Sequence, residues 1–286
     1  MSAPVTERAG ADEARQFAAT VAEIVRRHPP RDPWRPGAAA SDRDPTLERA
    51  LRDAGWDDLG TEESLLPLAA PAGSALGRGF SSLAPVDALL GGALRVGALA
   101  RYATEGAPLV EPRAGRLEVA SAVQLSPLPY TDALGVARVE FEDERDVDGR
   151  LRMAAWVAAS TGYLAGLAGE SLRLALEHAR SRRAFGGPLT ALEPVQQMLA
   201  DAATIVDGLA LLAAGSPDAD ALAHAGEATE RAVAICMQVT GALGFTLEFP
   251  LQRAYRRARA ARAWADAALI GWEGGDRVPA AEELGA

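Results

Sequence analysis

From Asp148 onward the sequence reads as helix, and it has to stop at only three places. The stops are Pro188 to Pro194, the run Gly215-Ser216-Pro217-Asp218, and the loop from Gly241 to Thr246. They leave helices at about 150–182, 194–214, 219–240 and 250–270. On the third of these, Ala225, Ala228, Ala232, Ile235 and Val239 share one face. Four helices of this length joined by short loops have one economical way to bury their apolar stripes, an antiparallel bundle.

The rest of the chain is less regular. Phe17, Val21, Ile24 and Val25 sit at helical spacing within residues 1–30, and a proline-rich connection runs from His28 to Pro45. A second helix carries Leu47, Leu51 and Trp56 on one side, and residues 62–104 read as helical with breaks at Pro67, Pro71 and Pro85. Between Glu105 and Asp148 the period changes to two, in Leu117 to Leu125 and Val136 to Phe141, with turn residues (Pro127, Pro129, Asp132, Gly135) between them. Two to four short strands fit there, too few for an independent β domain, so they are expected to pack on helices. The fold class is therefore mainly α: an N-terminal helical region (1–104), a reduced β region (105–148) and a C-terminal four-helix bundle (149–286).

A net charge of −10 argues against nucleic acid as a partner. All 29 basic side chains are arginine, so an anion site here must use Arg, backbone N–H groups or helix ends. No apolar run approaches a membrane span and no secretory leader is expected. Cys236 is the single cysteine, reads as core, and fits a reducing, cytoplasmic setting. His28, His178 and His224 lack the spacing of a metal site.

Two helix-edge segments place a long hydrogen-bonding side chain beside glycine. One is Arg182-Arg183-Ala184-Phe185-Gly186; the other runs from Gln238 through Gly241 and Gly244 to Phe245, followed by Glu248, Pro250 and an arginine-rich helix. That chemistry suits a dinucleotide, because glycine admits the ligand close to the backbone and arginine is a forked donor to phosphate. Arg182 taken alone reads equally as a solvated helix end. In order, spacing and helical setting over about 120 residues, Arg-x-x-Phe-Gly and Gln-x-x-Gly-x-x-Gly-Phe resemble the C-terminal domain of acyl-CoA dehydrogenases. Leu51-Arg52-Asp53-Ala54-Gly55-Trp56 is a fainter N-terminal match.

The resemblance implies an assembly of α–β–α subunits with FAD at a subunit interface. Arg182 would meet the pyrophosphate of a neighbour's FAD, while Gln238, Gly241 and Gly244 would meet its adenosine half, with Phe185 beside them. It also exposes departures. The family base, a carboxylate that takes the α-proton of the thioester, aligns here with Ala265, and its less common location aligns with Trp156. Glu273 resembles the usual base segment but comes about two turns late, and Glu193 reads as an N-terminal helix carboxylate. Ala242 replaces a glycine and Arg257 an acidic residue. The arginines at 253, 256, 257, 259 and 262 read mainly as a solvated face.

Together these features resemble the shortened partner chains of heteromeric acyl-CoA dehydrogenases. Such a chain would share FAD with a second acyl-CoA dehydrogenase-like subunit, which would hold most of the acyl-CoA substrate and supply the base. Two alternatives stand beside this: a flavin-free reuse of the fold as a scaffold or on a CoA- or carrier-bound intermediate, and an autonomous dehydrogenase using Glu273.

Overall fold

The computed structural model describes residues 5–30, 41–128 and 134–275. Most of the expected connection between His28 and Pro45, together with Pro129 and Asp132, lies outside the described residues. In chain order the helices are α1 (Val5–Arg27), α2 (Pro45–Asp53), α3 (Leu66–Arg78), α4 (Ala84–Ala88), α5 (Arg150–Ser181), α6 (Glu193–Ala214), α7 (Ala219–Thr240) and α8 (Leu251–Trp272). The strands are β1 (Ala93–Val96), β2 (Leu99–Ala100), β3 (Pro108–Arg113), β4 (Arg116–Pro127), β5 (Ala137–Val147), β6 (Arg183–Ala184) and β7 (Gly187–Pro188). The fold is mainly helical, as the sequence pattern implies.

Local chemistry sets several boundaries. Asp44 caps α2 by accepting from the Thr46 N–H, with Pro45 at the first helical position. Asp218 caps α7 through the Ala221 N–H, which turns the break at 215–218 into a helix start. The helices α5, α6 and α7 pack on one another, and α8 packs on α5 and α7.

The tightest helix pair is α3 against α5. Gly73 and Gly77 on α3 face Gly162 and Gly166 on α5, and a Cβ on any of the four would strike backbone of the other helix. The two backbones are in direct contact along two turns, with no side chain between them.

The β region departs from expectation in three ways. Strands begin at Ala93, inside the stretch read as helical. The strands β4 and β5 are 12 and 11 residues long, not short. The order β1-β2-β5-β4-β3, with β1 parallel to β3, closes a small barrel. Ala100, Leu109, Ala122 and Val139 form a core of its own, so the region is more self-contained than the strand count suggested. Closure removes the sheet edges that make a few strands unstable. Register shifts between Val119 and Ser121 and between Ala122 and Gln124 let β4 bend, and they leave Val123 half exposed. The barrel packs on α8 through β1 and β3.

Two further expectations need correction. The helix α8 is not a solvated arginine face: Arg257 is 2 % exposed, Arg253, Arg256 and Arg262 are half-buried, and Arg259 alone of the five is exposed. Arg259 and Arg262 both pair with Glu230 on α7. And one helix does have the length and composition of a membrane span: α6, with a mean hydropathy of 1.4 over an 18-residue window, only 11 % of it buried. It packs on α5 and α7, carries Asp201 and Asp207 on its exposed side, and turns most of its large apolar side chains to the core, with Leu211 the one left 76 % exposed.

Candidate functional site

The two sequence motifs lie at the same end of the bundle, where His178 and Phe249 touch. At the end of α5, Arg182 turns the chain out of the helix (ψ 124°) while its N–H still reaches the His178 carbonyl at 2.8 Å. Then β6 and β7 pair, joined by Phe185 and Gly186, both with positive φ (52° and 86°). Two successive left-handed residues make the loop a tight hairpin of the type whose twist matches its strands. The Leu189 N–H donates to the Arg182 carbonyl at 2.9 Å and closes the base of the hairpin. Phe185 is thereby held at the tip, 91 % exposed. A bulky side chain rarely adopts this backbone.

Along α7, Gln238 is exposed on the last turn, and no hydrogen bond from its side-chain amide is seen among the described residues. Gly241 follows with φ 60° and ψ −142°, a conformation near the one only glycine adopts readily, and the space beside its α-carbon is open. Gly244 is a glycine for a different reason. It is buried, and a Cβ there would collide with the Thr240 hydroxyl and sit 3.3 Å from the Met237 sulfur, so its smallness serves packing within the chain. Leu243, Phe245 and Leu247 project from the same loop into solvent. The loop after α7 touches the end of α5: the His178 and Phe249 rings meet edge to face, centroids 6.2 Å apart. Partial burial, and then the Arg182 charge, hold the His178 imidazole below its ordinary pKa. Arg182 has no carboxylate partner among the described residues.

The two positions that the resemblance would align with the family base, 156 and 265, lie elsewhere and are buried. Trp156 is 1 % exposed, and Ala265 is buried beside the fully buried Trp264. The Trp156 indole N–H donates to Asp87 Oδ1 at 3.2 Å. Asp87 also takes two hydrogen bonds from Arg101, Nε at 2.7 Å and Nη2 at 2.6 Å. The Arg101 guanidinium lies 5.3 Å from the Trp264 ring centroid, within cation–π range. Asp87 is thus fully engaged as an ion-pair partner and is not placed as a base.

A second buried pair adjoins the first. Arg257 is paired with Asp42, and its Nη1 donates to the Ser81 carbonyl at 2.8 Å and to the Tyr163 hydroxyl at 3.1 Å. The Tyr102 hydroxyl donates to Asp42 Oδ1 at 3.1 Å. Burial first, and the Asp42 charge second, push the Tyr102 phenol well above its usual range, so it stays neutral. Sequence reasoning missed Asp42, Asp87, Arg101 and Tyr102. Arg257 was the available signal: an arginine where an acid is usual, on an otherwise buried helix, calls for a new carboxylate elsewhere.

Of the remaining candidates, Glu273 is exposed at the C-terminal end of α8. That end docks on the β3–β4 turn, where the Ala114 and Gly115 N–H groups donate to the carbonyls of Gly271 and Trp272. Along the helix axis Glu273 is about 12 Å from Ala265. Glu193 is the exposed first residue of α6. Burial pushes the Cys236 thiol up to about 12, which leaves it an unreactive core group. Among the described residues no three His, Cys, Asp or Glu side chains are arranged to hold a metal ion.

This arrangement of helices and barrel is that of the acyl-CoA dehydrogenases. Residues 152–265 match the acyl-CoA dehydrogenase C-terminal domain, and over this segment the chain is similar to that family. The short-chain specific acyl-CoA dehydrogenase of rat mitochondria (Rattus norvegicus) is 38 % identical over 107 residues, 33 % of this chain and 26 % of the rat protein. The chain thus matches about a quarter of the length of such curated relatives. In fold the likeness extends further. A variant of the Tcur3481–Tcur3483 steroid ACAD superposes with a TM-score of 0.66 at 16 % identity, covering 93 % of this chain and 95 % of that one. The ChsE4–ChsE5 complex of Mycobacterium tuberculosis gives 0.62 at 18 % identity, over 91 % and 94 %.

Proposed function

We propose that this chain is a non-catalytic subunit of a heteromeric, FAD-dependent acyl-CoA dehydrogenase that introduces an α,β double bond into an acyl-CoA thioester. The observation that carries the reading is a division within the molecule. Its nucleotide-type donors, Arg182 and Gln238, stand open at one end, while positions 156 and 265 are both buried and Trp156 is tied to the Asp87–Arg101 pair.

The residues at the open end fit the diphosphate and adenosine half of FAD. Arg182 offers a forked cation with no competing carboxylate among the described residues, Gln238 offers a free amide, and Gly241 leaves its surroundings clear. Phe185 offers an exposed ring for stacking. The core at positions 156 and 265 offers no carboxylate free to act as a base, because an indole, an alanine and matched ion pairs occupy it. In the assembly FAD would accept the hydride from the β-carbon. The second subunit would provide the carboxylate for the α-proton and most of the acyl-CoA pocket. That one structure of this fold is a complex of two named proteins supports the pairing. A reducing, cytoplasmic location goes with it.

Co-expression with a candidate dehydrogenase subunit tests the reading. The expected result is a yellow complex with flavin absorbance and acyl-CoA oxidation, next to a colourless lone chain. A lone chain that binds FAD stoichiometrically and oxidises an acyl-CoA would overturn it, and if Glu273→Gln then abolished turnover, Glu273 would be the base after all. A stable two-chain complex without a flavin band would favour reuse of the fold as a flavin-free scaffold or on a carrier-bound intermediate; the sealed interior is the observation on that side.

A further inference from the structure

A cavity of about 430 Å³ lies where α2, the turn Asp57–Gly60, α4, the starts of β1 and β3, and the first turn of α5 come together. It shares no residue with the Arg182–Gln238 end. The volume is in the range that small organic ligands occupy. Glycine and alanine form part of its wall, at Gly91, Gly92, Ala84 and Ala88. The charged groups come from α2 and the residues just before it, the turn Asp57–Gly60, α4 and α5.

Matching the charges separates structural pairs from free groups. Arg43 binds both oxygens of Glu48, at 2.7 and 2.8 Å. Arg52 binds Asp57 at 3.1 Å. Asp87 is held by Arg101. Two groups are left over, Arg152 and Asp58. Arg152, half-buried, has as its one described hydrogen bond a 3.3 Å contact to the Leu89 carbonyl, which cannot balance its charge. Its guanidinium lies over Gly91, whose φ of 101° and missing Cβ let it come this close. Asp58 makes no side-chain hydrogen bond or ion pair among the described residues, and the Thr61 hydroxyl stands near it, bonded to the Asp58 carbonyl at 3.3 Å.

We propose that this cavity binds a small phosphorylated sugar, with Arg152 gripping the phosphate and Asp58 accepting from the hydroxyls. A planar guanidinium without a counter-ion is the best side-chain partner for a phosphate. A carboxylate that no protein donor uses is the usual partner for vicinal sugar hydroxyls. A simple cation is disfavoured, since three of the four acids are already matched by arginine. A bare oxyanion would leave Asp58 and Thr61 without a role.

Calorimetric titration of the full chain, without flavin or partner, with ribose 5-phosphate, ribose and inorganic phosphate is the test. Ribose 5-phosphate is expected to bind at one per chain and more tightly than either fragment. Arg152→Gln should weaken it by at least about tenfold, the value of one charge-assisted hydrogen bond. Asp58→Asn, at an exposed turn position, should narrow the preference over inorganic phosphate. If Arg152→Gln fails to fold, as its circular dichroism would reveal, Arg152→Lys should keep part of the affinity by keeping the charge. Absence of binding, binding indifferent to Arg152, or phosphate binding as well as the sugar phosphate would each overturn the proposal. None of these results bears on the heteromer, whose test uses a different end of the molecule and a different readout.

Discussion

The open end of the bundle and the sealed interior obey opposite rules. At the open end an arginine, a glutamine and several large apolar side chains face solvent with few partners. In the interior, arginines and carboxylates are almost fully buried and matched to one another. Burial of an ion pair is costly unless its geometry is good and its remaining donors are satisfied. A protein selected only for stability would have its charges outside and its phenylalanines inside. The inversion is what the proposed division of labour between two subunits would require.

That contrast can be broken most severely in the interior. Asp42→Ala or Asp87→Ala leaves an arginine buried without its counter-ion, and should reduce stability by about 3–5 kcal/mol in chemical denaturation. A loss below about 1 kcal/mol would mean that the pair is hydrated, not sealed. Gly162→Ala should cost somewhat less, on the order of 1–3 kcal/mol, by forcing α3 and α5 apart. At the open end the pattern should reverse. Arg182→Gln and Gln238→Ala should leave the lone chain within about 0.5 kcal/mol of its original stability. In the assembled complex the Arg182 change should weaken FAD by about ten- to a hundredfold. A finer probe is His178. With its folded pKa depressed, its contribution to stability is fully present above the unfolded value of about 6.5 and is lost as pH falls below it. Its imidazole resonances should titrate below that value, and Arg182→Gln should move the midpoint upward. Bound diphosphate should do the same by neutralising Arg182.

The sequence carried the helical frame well, because 3.6-residue periodicity with proline and glycine stops is a local signal. The breaks at Gly215 and Gly241 fall where α6 and α7 end. Pairings between distant segments were not legible. The hairpin of β1 and β2 begins in an alanine- and leucine-rich stretch that also suits a helix, and only closure with β3 and β5 decides for strand. The exposed placing of Phe185 could not be read either, since nothing in Arg-x-x-Phe-Gly says that the phenylalanine occupies a hairpin tip. The arginines of α8 misled for a related reason. Position on a helix gives a face, but whether that face meets water depends on Asp42 and Ser81, more than 170 residues away.

The hairpin at Phe185 has a consequence for how such a chain changes over time. Asparagine or glycine at that corner would relieve a backbone strain of about 1 kcal/mol and make the isolated molecule sturdier. A screen rewarding thermal resilience of the solitary polypeptide would therefore discard the aromatic ring first. Selection for the assembled enzyme should bring it back.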